Sequence, residues 1–111
     1  MVHIMMGFVF RLIPPRPSFP FDMSTGERAT MMEHVEYWSA LTEQGLVLAF
    51  GPVGDPRGAY GIGIVLAESQ TEAEALRDRD PAIKSPYGFT TEIDPMLRLV
   101  TPKQTYEATP G

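Results

Sequence analysis

The chain has 111 residues, which is enough for one domain with a single apolar core. Its net charge is −5 and its nine basic residues form no run or stripe, so a surface that neutralises a nucleic-acid backbone is excluded. The sequence contains no cysteine, which rules out disulfides and thiol chemistry and favours a reducing cytoplasm. The apolar N-terminal stretch, residues 1–15, is too short to cross a bilayer and lacks a basic region and a cleavage site, so no membrane association is expected.

The first predicted element is a strand over residues 3–13. Apolar side chains occupy both parities of this stretch, and a strand that is apolar on both sides is buried on both sides. His3, at its start, is expected to face solvent. The next stretch, "PPRPSFPF" at residues 14–21, has four prolines in eight residues. Because proline fixes the backbone φ angle and lacks an N–H donor, this stretch is predicted to be an extended, non-helical connector.

A helix is predicted from Ser24 to about Gln44. Ser24 and Glu27 have the spacing of a reciprocal capping box, and Gly45 suits the left-handed position that follows a helix. One face of this helix is apolar except at its centre, where His34 lies. That face consists of Met31, His34, Val35, Trp38 and Leu41. The imidazole is therefore expected to point inward, where either a core group satisfies it or the core opens into a pocket.

Two apolar strands are predicted next, at residues 46–52 and 61–68, with a glycine-rich loop at residues 54–61 between them. Glycines in "GPVGDPRGAYG" would let backbone amides approach a phosphate. The stretch lacks the Gly-Lys-Ser/Thr ending of a phosphate-binding loop, however, and no helix follows it. A plain loop is therefore predicted, from which Arg57 and Tyr60 remain candidates for contacts with a substrate.

The last third of the chain predicts a helix, a strand and a tail. Thr71 and Glu74 repeat the capping-box spacing, and the proline after Asp80 is expected to end this helix at or before that residue. A fourth strand is expected to begin near Phe89, with a proline at its edge. Residues 101–111 are polar and are expected to form a frayed tail.

The predicted order of strand, helix, strand, strand, helix, strand is that of a ferredoxin-like α+β fold. Such a fold has a four-stranded antiparallel sheet with two helices on one face. The first and third strands also place apolar side chains on the opposite face, which no element of this chain covers. A second copy of the chain is therefore the expected partner on that face. The domain is expected to span residues 1–100.

His34 is the strongest candidate for chemistry. A carboxylate that accepts a hydrogen bond from one ring nitrogen fixes the tautomer and leaves the other nitrogen free to exchange a proton near neutral pH. Asp80 and Asp55 are both candidates for this carboxylate. Each precedes a proline, and Asp-Pro is also an ordinary turn or helix-stop signal. The alternative role for His34 is a core histidine bonded to a backbone carbonyl.

Metal binding is not indicated, because the two histidines are far apart, cysteine is absent, and no His-x-x-x-His or Glu-x-x-His spacing occurs. A soft set of methionine and aromatic side chains could line an adaptable pocket for a planar ligand. Core packing is nevertheless the default role of this set, which consists of Met5, Met6, Met31, Met32, Phe8, Phe10 and Trp38.

The stretch "RPSFPFDMSTGERATMMEHVEYWSALTEQGLVLAFGPVGDPRGAYGIGIV", together with "DPAIKSPYGFTTEIDPM", resembles the YciI-related (YCII) family of small dimeric α/β-barrel proteins. In that family a His on the first helix, a Gly-Pro after the second strand and an Asp-Pro after the second helix recur. They correspond here to His34, Gly51 and Pro52, and Asp80 and Pro81. The resemblance implies a ferredoxin-like protomer whose sheet faces that of a second copy, and a His/Asp pair as the active site.

The resulting hypothesis is a cytoplasmic homodimeric enzyme that acts on a small molecule and needs no cofactor. His34 would serve as general acid and base, oriented by Asp80, which the resemblance favours over Asp55. One branch of the family is similar to dehydrochlorinases of chlorinated hydroxyquinols, which implies a lyase-like reaction on an aromatic substrate. The expected substrate contacts are Asp55, Gly51, Pro52, Trp38, Arg57 and Tyr60. The alternative is a non-catalytic ligand-binding or regulatory homodimer, and a third hypothesis is a purely structural dimerisation module.

Overall fold

A computed structural model describes residues 4–108. His3 and the end of the predicted tail, residues 109–111, lie outside the described residues. No helix within the described range is long and apolar enough to cross a membrane. Residues 4–108 form six strands and four helices, which in chain order are β1 (Met6–Ile13), α1 (Phe19–Asp22), α2 (Thr25–Glu43), β2 (Val47–Val53), β3 (Tyr60–Ala67), α3 (Gln70–Asp78), α4 (Pro81–Lys84), β4 (Thr90–Pro95), β5 (Arg98–Val100) and β6 (Thr105–Glu107).

The first four strands form one antiparallel sheet in the order β2-β3-β1-β4. In this sheet Phe8 lies opposite Val65 of β3, and Phe10 lies opposite Ile93 of β4. Strand β1 is therefore central, which explains why its sequence is apolar on both parities. The mixed α+β architecture, with helices packed on a four-stranded antiparallel sheet, confirms the predicted fold class and is compatible with a ferredoxin-like fold.

Helices α2 and α3 pack on the same face of the sheet and build the core there. Trp38 and Leu41 of α2 and Leu76 of α3 are buried in one cluster with Phe8 and Phe10 of β1. Burying each such side chain contributes roughly 1.5–3 kcal/mol, so these contacts fix α2 firmly over the sheet. The rings of Phe10 and Trp38 meet edge to face, with centroids 5.5 Å apart.

The start and end of α2 are those predicted from sequence. The Ser24 side chain accepts a hydrogen bond from the backbone N–H of Glu27 at 3.1 Å, and the Glu27 carboxylate accepts one from the Ser24 N–H at 2.9 Å. Gly45, with a φ angle of 80°, follows the helix in the left-handed conformation. The capping box and the glycine stop are thus both confirmed.

The predicted cap of α3 is wrong by two residues. Ser69, and not Thr71, is the N-cap, and its side chain accepts from the N–H of Glu72 at 3.1 Å. The sequence contains two overlapping patterns of Ser/Thr followed three residues later by Glu, and both have the correct chemistry. The earlier pattern prevails because β3 ends at Ala67 and the chain turns into the helix at once. The predicted stop before the proline is confirmed, since α3 ends at Asp78.

The proline-rich stretch was predicted to be extended and non-helical, and this prediction is wrong for its last part. Residues Phe19–Asp22 form the short helix α1, with Pro20 in its first turn. A first-turn proline is compatible with a helix, because the N–H that it lacks has no partner within the helix there. The four prolines therefore stiffen the segment without preventing one helical turn.

The predicted frayed tail is ordered over its described part. Strands β5 and β6 form an antiparallel hairpin, and Leu99 of this hairpin is buried. Leu99 packs on the backbone of Gly7, where an added Cβ would lie only 2.8 Å from a Leu99 methyl group. Gly7 thus permits a close approach that the polar composition of residues 101–108 does not reveal.

Candidate functional site

His34 on α2 and Asp80, which precedes α4, meet in the structure although they are 46 residues apart in sequence. The Nδ1 atom of His34 lies 2.9 Å from both carboxylate oxygens of Asp80. The Asp80 side chain is 2% exposed and that of His34 is 13% exposed. The structure therefore brings the two residues of the predicted His/Asp pair into direct contact.

Two further donors hold the Asp80 carboxylate. The indole Nε1 of Trp38 donates to one oxygen at 2.9 Å, and the backbone N–H of Ala82 donates to the other at 2.9 Å. The second bond also makes Asp80 the N-cap of α4. A buried carboxylate is costly unless its oxygens accept hydrogen bonds, and here three different donors supply them. The carboxylate is therefore fixed in position before any ligand arrives.

A glycine on β3 makes room for the Trp38 indole. A Cβ at Gly63 would lie 2.4 Å from the Trp38 ring, so any larger residue would push the ring away. Gly63 lies opposite Phe10 in the sheet, and the rings of Phe10 and Trp38 meet edge to face. The sheet thus determines where Trp38 presents its N–H to Asp80.

The second ring nitrogen of His34 remains available for chemistry. A carboxylate only accepts hydrogen bonds, so Nδ1 is the donor of this pair, and in the neutral imidazole Nε2 is then the nitrogen that has the lone pair. Among residues 4–108, no group is hydrogen-bonded to Nε2. No buried side-chain polar atom of this range lacks a partner either, so Nε2 is not sealed inside the core. This arrangement suits a proton acceptor that faces a ligand.

His34 forms part of the wall of a cavity of about 370 Å³ between the sheet and the helices. That volume lies within the range of small-molecule sites, roughly 300–1,000 Å³. Val35, expected in the core, is 49% exposed and lies at the cavity wall. The lining is almost entirely apolar and consists of Phe10, Leu12, Pro14, Phe19, Pro20, Met23, Met31, His34, Val35, Trp38, Phe50, Gly51, Pro52, Ala59, Tyr60, Gly61, Ile62, Gly63, Phe89 and Thr91.

A family model described as the YCII-related domain matches residues 8–96, which is well over half of the chain. The chain belongs to the YCII-related family. The resemblance found in the sequence is thereby confirmed at the level of the family. None of the curated proteins compared with the chain matches it. The matched range covers nearly all of the four-stranded sheet and leaves out the hairpin of β5 and β6.

In this YCII chain, one wall of the cavity comes from the proline-rich segment, which Arg16 anchors. Its guanidinium donates to both oxygens of Glu27, each at 2.8 Å, and to Asp22 at 2.8 Å. The hydrogen bonds from Arg16, and next the bond from the Ser24 N–H, lower the pKa of Glu27 to about 2. The capping box of α2 and the cavity wall therefore share one carboxylate.

Asp55 and Arg57, which were predicted to contact a substrate, do not line this cavity. They pair with each other within their own loop, since Asp55 accepts from the backbone N–H of Arg57 at 2.8 Å and from its guanidinium at 3.0 Å. The Arg57 side chain is 90% exposed. The hydrogen bond from the guanidinium lowers the pKa of Asp55. The carboxylate is held within its own turn, and in the described residues it makes no hydrogen bond with His34.

The other predicted contacts, Gly51, Pro52, Trp38 and Tyr60, do line the cavity. Tyr60 contributes backbone, because its ring lies 4.1 Å from the Arg11 guanidinium and Arg11 points to the sheet face opposite the helices. Of the soft methionine and aromatic set, Phe10, Met31 and Trp38 line the cavity, Phe8 and Met6 belong to the core and Met32 is exposed.

Sequence reasoning missed most of the lining residues, among them Phe19, Phe89 and Thr91. Phe19 lies in the stretch predicted to be a connector, and its ring packs edge to face on that of Phe89 with centroids 5.2 Å apart. An aromatic residue between prolines was the available signal for Phe19. Thr91 carried no signal, because only its register opposite Leu12 turns it towards the helices. Within residues 4–108, no group of three or more His, Cys, Asp or Glu side chains could hold a metal ion.

Proposed function

We propose that this YCII-family chain is a small-molecule enzyme that uses His34 as general acid and base and Asp80 to orient it, without a cofactor. The observation that carries the proposal is the state of the imidazole. Its Nδ1 is held by a buried carboxylate, its Nε2 has no partner among residues 4–108, and His34 lines an apolar cavity. Those are the two requirements for a positioned base.

The reaction class that we propose is an elimination on an aromatic substrate, of the dehydrochlorinase type. His34 moves a proton from a ring hydroxyl to the carbon that carries chlorine, which gives the keto tautomer with a saturated carbon there. Nε2 of His34 then removes a second hydroxyl proton, the electron pair left behind forms the second carbonyl of a quinone, and the carbon–chlorine bond breaks as chloride leaves. Hydrogen chloride is lost overall, so no oxidant or reductant is consumed. Asp80 stabilises the imidazolium that forms, and the proton then passes from Nε2 to water.

A ligand-binding dimer without turnover is the second candidate. The almost wholly apolar lining favours it, because such a surface can hold a small molecule by burial alone. In that case His34 would supply one hydrogen bond to the ligand instead of accepting a proton from it.

We also propose that the protein is a cytoplasmic homodimer formed through the sheet face opposite α2 and α3. On this face, Val9 of β1 and Ile64 of β3 are paired neighbours, and Ile62 is 38% exposed. This apolar group, which Arg11 borders as the cross-strand neighbour of Ile62, supports an interface, and a second copy supplies a matching surface. Sedimentation at micromolar concentration should give twice the chain mass, and Ile62→Asp should give a monomer. A native monomer would reject this part of the proposal.

The catalytic proposal is tested by replacing His34 with Gln and with Asn. Both side chains remain polar but cannot take up the proton, so a turnover loss of about 10²–10⁴-fold is expected with the fold retained. Glu36→Gln is the matched control, since Glu36 is an exposed residue of the same helix, α2. Chloride release from a chlorinated hydroxyquinol and thermal unfolding, measured in one buffer, provide the two readouts.

A structural histidine would give the opposite pattern. Stability would fall in both His34 variants while turnover per folded molecule stayed at the native value, and the catalytic assignment would then be rejected. If the native protein turned over no aromatic substrate but bound such molecules, the ligand-binding candidate would replace it.

A further inference from the structure

The cavity lining contains no charged side chain among the described residues. Its twenty members include no Asp, Glu, Lys or Arg. Asp80, the carboxylate of the His/Asp pair, is buried and is not a lining residue. It already accepts hydrogen bonds from His34, Trp38 and Ala82. Apart from His34, which is positive only when protonated, a charged ligand would therefore find no partner of opposite charge among these lining residues.

Transferring an ionised group from water into an apolar site without a partner is strongly unfavourable. The neighbouring Asp80 carboxylate adds repulsion for an anion, because its negative charge lies one imidazole ring away from the cavity. Asp80 attracts a cation as strongly as it repels an anion at the same distance, but its buried oxygens already accept bonds from three donors, so a cation cannot form a direct ion pair that would offset its loss of hydration. Both signs of charge are thus disfavoured.

The floor of the cavity is partly backbone. Gly61 and Gly63 of β3 both line it, and a Cβ at Gly61 would lie 3.4 Å from Leu12. The Trp38 indole covers Gly63, so a planar group would lie over the backbone of Gly61 and against the aromatic rings that line the cavity. The rings of Phe10, Trp38 and Phe50 surround this floor.

From these observations we infer that the cavity selects an uncharged, flat and largely apolar molecule with one hydrogen-bonding group that meets Nε2 of His34, and that it rejects carboxylates, phosphates and ammonium ions. The inference deepens the proposed function and rests on it for the role of Nε2. It defines the ligand by charge, and the absence of an internal counter-charge supplies the selectivity.

The chain provides its own reporter for a test, because Trp38 is its only tryptophan and lines the cavity. Nitroaromatic compounds quench indole fluorescence, so three probes of matched size can be compared: 4-nitrobenzyl alcohol, 4-nitrobenzoate and 4-nitrobenzylammonium. Saturable quenching by the alcohol is expected at pH 7, with the two charged probes binding about 100-fold more weakly or not at all.

Adding a positive charge inside the cavity should change this preference. Thr91 is a half-buried lining residue on β4, so Thr91→Arg places a guanidinium there. We expect 4-nitrobenzoate to bind this variant at least about tenfold more tightly than it binds the native protein. Thr105→Arg is the matched control, since it adds the same charge at an exposed position of β6, and it should leave all three affinities unchanged.

The result that would overturn the inference is native 4-nitrobenzoate or 4-nitrobenzylammonium affinity equal to that of the alcohol, or no saturable quenching by any probe. This failure is separable from failure of the catalytic proposal. His34→Gln keeps the apolar lining, so it should retain the preference for the alcohol even though turnover is lost. If the native protein and the His34→Gln variant both preferred the alcohol and had equal turnover, the catalytic role of His34 would be rejected and the inferred ligand class would be retained.

Discussion

Two Asp-Pro dipeptides of this chain have different environments. Asp80, before α4, has a side chain that is 2% exposed. It accepts hydrogen bonds from the side chains of His34 and Trp38, which are more than forty residues away in the chain, and from the backbone N–H of Ala82, two residues further on. Asp55 accepts bonds only from Arg57, two residues further on, in a loop whose arginine is 90% exposed. Both aspartates hold a local turn, but Asp80 also binds α2.

This difference shows that a capping aspartate forms contacts beyond its own turn only when another element packs against its carboxylate. Asp80 caps α4 with one oxygen and meets Trp38 with the other, while His34 reaches both. The Asp55 carboxylate accepts its hydrogen bonds from Arg57 in the same loop. The comparison can be tested by changing each carboxylate, its donors and the third anchored carboxylate, Glu27.

The largest effect is expected for Asp80→Ala. The change leaves the Trp38 and Ala82 N–H groups without their acceptor and removes the partner of His34. Breaking a buried charged network of this kind should cost about 3 kcal/mol in the free energy of unfolding. Urea unfolding measures this cost. A cost below about 1 kcal/mol would contradict the structural role of Asp80.

The next effect is expected for Trp38→Phe. Phenylalanine keeps an aromatic ring in the core but removes the donor to Asp80, which should cost about 2 kcal/mol and lower turnover by loosening the orientation of His34. Urea unfolding and turnover should therefore change together in this variant.

Tyr37→Phe is the matched control for that substitution. Tyr37 also lies on α2 and donates one hydrogen bond, at 2.6 Å, to the backbone oxygen of Leu76. Its loss should cost about 1 kcal/mol and leave turnover unchanged, because Asp80 keeps all its donors. Equal turnover loss in both variants would mean that Trp38 does not act through Asp80.

A smaller effect is expected from the pH dependence of stability through Glu27. Arg16 lowers the pKa of Glu27 from an ordinary value of 4.5 to about 2. A carboxylate with a lowered pKa in the folded state stabilises the fold fully above its unfolded value, and this contribution is lost as the pH falls from 4.5 to about 2. The unfolding temperature of the native protein should therefore drop over this window, and Glu27→Gln should reduce the drop. Identical acid profiles for the two proteins would contradict the assigned role of Arg16.

The smallest effect is expected for Asp55→Ala. Its partner is exposed and in the same loop, so the free energy of unfolding should change by less than about 0.5 kcal/mol, with turnover at the native level. Measured beside Asp80→Ala, this variant isolates the contribution of tertiary context. A turnover loss as large as that of the Asp80 variant would bring Asp55 back as a catalytic candidate.

Local signals in the sequence predicted much of the fold. The helix from Ser24 and the glycine stop at Gly45 followed from capping chemistry, which acts within four residues of a helix end and needs no tertiary information. The same chemistry gave the wrong start for α3, because Ser69 and Thr71 satisfy it equally well. The choice between them depends on where β3 stops pairing with its neighbours.

The polar segment after β4 illustrates a second limit. Residues 101–111 were predicted to fray because they are polar, yet β6 within them pairs with β5 in an ordered hairpin, which is anchored where Leu99 of β5 is buried on Gly7. One apolar residue in a polar segment gives too weak a periodic signal to predict a strand. The contact exists because a glycine in β1, some 90 residues earlier, leaves space on that face of the sheet.

By itself, the sequence determined the α+β class, the inward position of His34 and the two candidate aspartates, because periodicity and capping are local properties of the chain. The family resemblance favoured Asp80 over Asp55, but only the tertiary structure shows the contact of Asp80 with His34, since that contact depends on which turn packs against α2. The same packing decided that Trp38 donates to Asp80 and that Nε2 of His34 stays free beside an uncharged cavity. Those features arise from contacts between residues more than forty positions apart, and no local pattern encodes them.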